Sequence, residues 1–578
     1  MQLWVAGQEC KVVSDAPVES GSDAMRVGWT TTAKATCTAT QLKVVVEGSV
    51  DATGYMPYKV SVTAQDDVQD VQFRLGVISN ATNSRYAMGW GLNGDVMPPT
   101  TTTWKWDGAE NHDSALWVGS VAAGFRIYLH GTDDVWQASV PFDGRTAPPP
   151  PATWDNNGQG TATLYPNGSL SVTTGNVHMG AGETVEYTLS LMATPTKPLN
   201  LAAHWKSRYT QLSGDANYTD IASQGATVVN MHQGNAVNPW INYPYLTQDK
   251  FASDAAQCHK LGLRYKIYNT MRELSNRARE LWAMRAWNET LLPGEGGGAP
   301  WLREHLRSGY LPAWSSPLSN GELDAAFKVA GLSRWNNYYV EGLAWLTNKT
   351  GIDGVYLDEC AYDRTTILRA RRVIGNGLID LHSDHGAFTR YPALNYMELF
   401  PFIDSLWFGE GFNYTLASPA HWLVEISGLA FGLTADMLRY PGMKLFPYRG
   451  FLFGSTHRWN MGWAEESPVG LWHLWDDFGI EQSTMIGWWE DSVPAKTNNT
   501  DVLVTCYVVS GKRSLIVIGS FAPVDVSVTL SVDWSALGLS APKTLTAPSI
   551  APFQTAASFS IDQPLFVKWG QGWILLVE

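Results

Sequence analysis

The stretch DGVYLDECAYDR, Asp353–Arg364, closes a run of strand-forming residues on two adjacent carboxylates, Asp358 and Glu359, with Asp363 and Arg364 close behind. Two neighbouring acids repel when both are ionised, so the pairing needs a reason. Side chains alternate along a strand, so Tyr356 and Asp358 share one face, Val355 and Leu357 the other. Glu359 reaches the first face only if the strand stops and the backbone turns. Neighbouring carboxyls in different surroundings can hold different pKa values, one ionised and one protonated. That is the division of labour a general acid and its partner need. The plainer reading makes Asp358, Glu359, Asp363 and Arg364 an ion-pair cluster opening the helix RTTILRARRVI, whose N-terminus suits acids.

Other apolar runs end on comparable groups. LNLAAHW ends in His204 and Trp205, GATVVNMHQG in His232 and Gln233, and LRYKIYNT near Tyr268 and Asn269. LIDLHSDHG supplies His382, Asp384 and His385; IDSLWFGEG supplies Trp407 and Glu410; LAFGLTADM ends at Asp436, and QSTMIGWWE reaches Trp488 and Glu490. Acids, histidines and aromatics on several strand ends are what a sugar-cleaving pocket needs. A flat aromatic face matches the apolar C–H face of a pyranose. The candidate substrate contacts are Tyr356, His204, His232, Tyr268, Asn269, His382, Asp384, Trp407 and Trp488, with core packing as the competing role for each tryptophan. His382, Asp384 and His385 have a loose metal-like spacing, but no other strand supplies an evident partner, so neither metal nor cofactor is expected.

The elements that must carry these groups form three regions. Residues 1–195 read as all-β: LKVVVEGSVDATGYMPYKVSVTAQDD alternates and breaks at Gly and Asp, as in a sandwich. Residues 196–496 alternate short apolar runs with helical segments. In SRWNNYYVEGLAWLT, Ser333 can cap a helix on which Trp335, Tyr339, Leu343 and Leu346 recur at helical spacing. Repeated strand–helix units predict a (β/α)8-like barrel, whose active site lies at the C-terminal ends of its strands. No glycine fingerprint for a nucleotide follows a strand, and GEGGGAP reads as a loop. Residues 497–578 return to β, with GK turning one hairpin and LFVKWGQGWILLVE expected as another. The fold class is therefore multidomain α/β plus all-β, a central (β/α)8-like barrel flanked by N-terminal and C-terminal β-sandwiches.

The bulk numbers agree with a globular chain: 578 residues, 45% hydrophobic and 16% charged. A net charge of -14 and a pI near 5.3 argue against nucleic acid as a partner. No window of about 18 apolar residues predicts a membrane span. MQLWVAGQEC lacks the basic and long apolar regions of a signal peptide. Asn-X-Ser/Thr sequons, such as those at Asn217, Asn288 and Asn348, point toward an extracellular or vesicular location. Cys10 and Cys37 could pair, but spacing alone does not say so.

With YLDEC as its chemical core, the chain resembles glycoside hydrolase family 123, the β-N-acetylgalactosaminidases. KIYNTMRELSNRARELWAM, SRWNNYYVEGLAWL and LWFGEGFNY also look like barrel segments of related proteins. The resemblance implies that Asp358 orients and polarises the substrate's 2-acetamido group, whose oxygen is the nucleophile. It implies that Glu359 is the general acid/base, in retaining, substrate-assisted removal of a terminal β-linked N-acetylhexosamine from a glycan. Two alternatives stay open. One is a retaining glycosidase of a non-acetamido hexoside with Asp358 as nucleophile and Glu410 as acid/base. The other is a catalytically silent carbohydrate-binding protein.

Overall fold

The computed structural model describes residues 2–22, 25–37, 40–78, 84–105, 114–130, 152–271, 273–291, 293–294, 309–310, 312–318, 321, 323–329, 333–358, 363–382, 392–407, 412–437, 447–460 and 467–578. Its centre is a parallel sheet of β1 (Tyr209–Leu212), β2 (Val228–Met231), β3 (Arg264–Asn269), β4 (Gly354–Leu357), β5 (Leu378–His382), β6 (Ser405–Trp407), β7 (Thr434–Met437), β8 (Thr456–His457) and β9 (Trp459–Asn460). Strands β1 to β8 pair in chain order, and β9 pairs with β1. Because β8 and β9 are separated by Arg458 alone, they act as one broken stave that brings the sheet back to its start. The result is a barrel core.

Strand β4 is buried on both faces, one toward the lumen and one toward helices. Its first residue, Gly354, has φ +153°, and a Cβ there would lie 1.9 Å from the Leu378 carbonyl oxygen. Glycine thus lets β4 enter the barrel hard against β5. Helix α1 (Arg334–Thr350) precedes β4. Ser333 caps it in a capping box with Asn336, and Trp335, Tyr339, Leu343 and Leu346 face inward, as their spacing predicts. Gly351 stops it in the left-handed conformation. Helix α2 (Arg364–Ile374) follows β4, capped by Asp363, whose carboxylate accepts from the Thr366 N–H at 3.0 Å.

Two expected barrel strands are corrected. LNLAAHW forms a short helix, Leu201–Trp205, because the Asn200 side chain caps it through the Ala203 N–H; the first strand is Tyr209–Leu212. QSTMIGWWE contributes Thr484–Ile486, which pairs antiparallel with Val502–Val509 outside the barrel; the polar stretch around Arg458 closes the ring instead.

Before the barrel lie two antiparallel sheets sharing one core, in which Phe73 and Val172 of one sheet meet Val60 and Leu189 of the other. Cys10 and Cys37 are joined by a disulfide there. The hairpin formed by Gln41–Asp51 and Tyr55–Ala64 delivers Asp51 to Arg364 at 2.5 Å. Arg364 also lies 4.7 Å over the Tyr55 ring. The first region therefore braces the helix that leaves β4. After the barrel comes a six-stranded antiparallel sheet with two two-stranded ribbons. The expected terminal hairpin is absent: Leu565–Val567 pairs with Val526–Val528, and Gly572–Val577 with Arg513–Ser520. Buried Arg449 ties this sheet to the barrel, donating to the Ser520 carbonyl at 2.8 Å and the Tyr414 carbonyl at 2.9 Å. No described helix is long and apolar enough to cross a membrane.

Candidate active site

Asp358 directly follows β4, and its backbone N–H still donates to the Asn269 carbonyl of β3 at 3.0 Å. Its side chain is 20% exposed and faces the end of the lumen. One oxygen accepts from the Tyr268 hydroxyl of β3, and the other meets Nδ1 of His382 on β5. The strands on either side of β4 therefore each contribute one group to the carboxylate. Register explains the convergence. Tyr268 and Asp380 both stand opposite Tyr356, so Asp358 and His382, each two residues on, emerge at the same level.

His232 follows β2 and packs on Tyr268, ring centroids 4.6 Å apart. Burial lowers its pKa, and Nδ1 donates to the Gln233 carbonyl at 2.9 Å, which leaves Nε2 as an acceptor. Tyr356 packs on Trp407 at 4.8 Å. Trp407 is fully buried, so it floors the lumen and offers no face to a sugar.

Beneath these groups lies a polar layer that the sequence reading missed. Lys266 and Asp380, both fully buried, form an ion pair. Asp380 also accepts from Ser405 at 2.7 Å and from Tyr209 at 3.1 Å. Burial drives the Lys266 ammonium well below its usual range. Its Nζ also lies 4.5 Å from the Trp407 centroid. Arg458 reaches in between β8 and β9, donates to Gln211 at 3.1 Å, and lies 5.4 Å from Trp407 and 5.7 Å from Tyr356. Lys266 and Tyr268, like Asp380 and His382, are two apart on one strand face; that spacing was the available signal.

Other candidates sit elsewhere. Asn269 points outward, its Oδ1 accepting from the Tyr339 hydroxyl of α1 at 2.5 Å. His204 lies on the helix that feeds the N-terminal end of β1. Its Nε2 donates to the Gly454 carbonyl at 2.7 Å, and burial lowers its pKa to about 4. Trp488 packs against Phe453 at 6.3 Å and Trp489 at 5.9 Å, beside the C-terminal sheet. Glu359, Asp384 and Glu410 lie outside the described residues. Among the described residues no three His, Cys, Asp or Glu side chains converge as a metal site.

The assembled site is a carboxylate of fixed orientation at the mouth of a parallel barrel, over an aromatic and charged floor. Comparison with known proteins bears on what such a site does. The glycoside hydrolase 123 TIM-barrel domain matches residues 200–460, the C-terminal domain of the same family residues 467–578, and its third domain residues 7–195. No curated protein matches the chain. Among solved structures, the galactosidase domain of an α-galactosidase–sucrose kinase aligns with 10% identity over 100% of this chain and 87% of its own, TM-score 0.48. A GH36 α-galactosidase from Geobacillus stearothermophilus gives 9% identity, 99% and 88% coverage, and TM-score 0.46. An α-galactosidase from Lactobacillus brevis gives 10% identity, 100% and 86% coverage, and TM-score 0.46. Likenesses this remote carry no argument about substrate.

Proposed function

This chain belongs to glycoside hydrolase family 123, and from that premise we propose that it removes a terminal β-linked N-acetylhexosamine, N-acetylgalactosamine favoured, by retaining, substrate-assisted hydrolysis. The observation that carries the reading is Asp358, partly exposed at the end of β4 and gripped on one oxygen by Tyr268 and on the other by His382. A carboxylate so held suits orienting a substrate group.

In the proposed reaction Asp358 accepts the N–H of the 2-acetamido group and turns its carbonyl oxygen toward the anomeric carbon. That oxygen forms the new bond as the glycosidic bond breaks, and Glu359 protonates the departing oxygen. Positive charge develops on the acetamido nitrogen, where the fixed carboxylate stabilises it without reorganising. Glu359 then takes a proton from water, which attacks the anomeric carbon and returns the acetamido group. Two inversions leave the configuration retained. Neutral His232 supplies an acceptor for a sugar hydroxyl, while Tyr356, buried against Trp407, belongs to the floor beneath rather than to the approach.

The Cys10–Cys37 disulfide supports an oxidising, extracellular or vesicular location. Parallel assays of Glu359→Gln and Glu410→Gln on an aryl β-N-acetylgalactosaminide test the assignment. Glu359→Gln should lower turnover by about 100-fold or more while Glu410→Gln leaves it near the parent value. Loss of activity in Glu410→Gln alone would move the chemistry to the nucleophile reading on a non-acetamido hexoside. Binding without turnover of any glycoside would favour the silent module.

A further inference from the structure

A cavity of about 520 Å³ opens on the flank of the barrel, between residues 243–248, the turn at 279–280 and α1. One wall is an aromatic ladder. Tyr243 meets Tyr245 edge to face with centroids 5.2 Å apart, and Tyr245 meets Trp345 at 5.6 Å. Gly342 lets the Tyr245 hydroxyl lie against α1, since a Cβ there would sit 1.9 Å from it. Trp345 is 45% exposed. Lone exposed aromatics need no explanation, but this ring walls a concave space.

The cavity also has polar groups fit for hydroxyls. The Tyr243 hydroxyl donates to Glu280 at 2.7 Å, which leaves that carboxylate with further acceptor sites. Gln248 also lines the cavity, and its Oε1 is buried without a donor. An acceptor shut away from water with no partner is costly, and a turn of the Gln248 side chain that brings this oxygen to a ligand hydroxyl in the cavity would recover that cost.

We propose that this cavity is a second carbohydrate site, apart from the reaction centre, that holds one neutral pyranose of a glycan chain. An exposed indole beside carboxylate and amide acceptors matches a ring with an apolar C–H face and a hydroxyl edge. Glu280 and Glu341 outnumber Arg279 on the rim, so sulfated or carboxylated sugars are disfavoured. Trp335, at the opposite end of α1, donates to the Met271 carbonyl just beyond β3, near the barrel mouth. Trp345 lies roughly 15 Å further along the helix at 1.5 Å per residue. A chain held here is tethered beside the enzyme while another end is cut.

Titration calorimetry with tri-N-acetylchitotriose tests this, using the full chain carrying Glu359→Gln as parent. Adding Trp345→Ala should weaken one class of binding by roughly tenfold, and adding Gln248→Ala should weaken the same class several-fold. Trp345→Ala with Glu359 intact should turn over an aryl glycoside as the unaltered protein does. Identical titrations for parent and Trp345→Ala, or no binding at millimolar trisaccharide, would overturn the proposal. The readout is binding, so it stands or falls separately from the catalytic assignment.

Discussion

Replacing Tyr268 with Phe removes one atom from the grip on Asp358 and little else. The ring keeps its packing against His232 at 4.6 Å and Tyr356 at 5.6 Å. The lost interaction is a hydrogen bond to a charged acceptor, worth about 1.5–3 kcal/mol. Asp358 is 20% exposed, so water can replace part of it, and the lower end, about 1.5–2 kcal/mol, applies. If Asp358 stabilises charge that exists only in the transition state, the whole loss falls on kcat, about 10- to 30-fold. KM should stay within about twofold, and the melting temperature should fall by no more than a few degrees. Steady-state kinetics on an aryl β-N-acetylgalactosaminide, with a melting curve as control, measure both. An unchanged kcat, or a rise confined to KM, would refute the idea that the Tyr268 hydroxyl positions a catalytic carboxylate.

Other outcomes follow from groups outside the mouth. His204 is held neutral, its pKa lowered from 6.5 to about 4 by burial. The unfolded chain therefore binds the extra proton first, and stability should fall as pH drops from about 6.5 to 4, by about 3 kcal/mol in all. His204→Gln, which keeps a donor for Gly454, should flatten that slope in urea titrations across the window. Lys266→Met strands buried Asp380 and should cost about 3–5 kcal/mol, read from the urea midpoint; a shift under about 1 kcal/mol would mean the pair is not buried as described. Removing the Cys10–Cys37 bond, which closes a separation of 27 residues, should cost about 3.5 kcal/mol, seen as a lower unfolding midpoint that reductant no longer changes.

Strands β2 to β7 are legible in the sequence because each pairs a short apolar run with a polar group at its end. β1 is not: YTQL is four residues long, and the richer apolar run just before it is drawn into a helix by the Asn200 cap. The eighth stave is short and polar, so no hydrophobic pattern marks it, and its closure depends on pairing with β1 and β7, which are distant in sequence. Alternation foretells that Tyr356 and Asp358 share a face, but not that Tyr268 and His382 converge on that carboxylate, because convergence depends on register between strands. The polar floor was hidden for the same reason: Lys266 looks like a surface residue until Asp380 is placed against it. The tryptophans show the limit of composition: Trp205, Trp407, Trp422, Trp472 and Trp475 are fully buried, while Trp345 is exposed beside a cavity that no strand end predicts.

The measurement closest to the central claim compares aryl β-N-acetylgalactosaminides whose acetyl group carries zero, one, two or three fluorines. Each fluorine weakens the carbonyl oxygen as a nucleophile while barely altering the shape of the sugar. If the acetamido group attacks the anomeric carbon under the guidance of Asp358, kcat should fall steeply and monotonically along the series. A flat series would show that the acetamido oxygen does not make that bond, and would contradict the account.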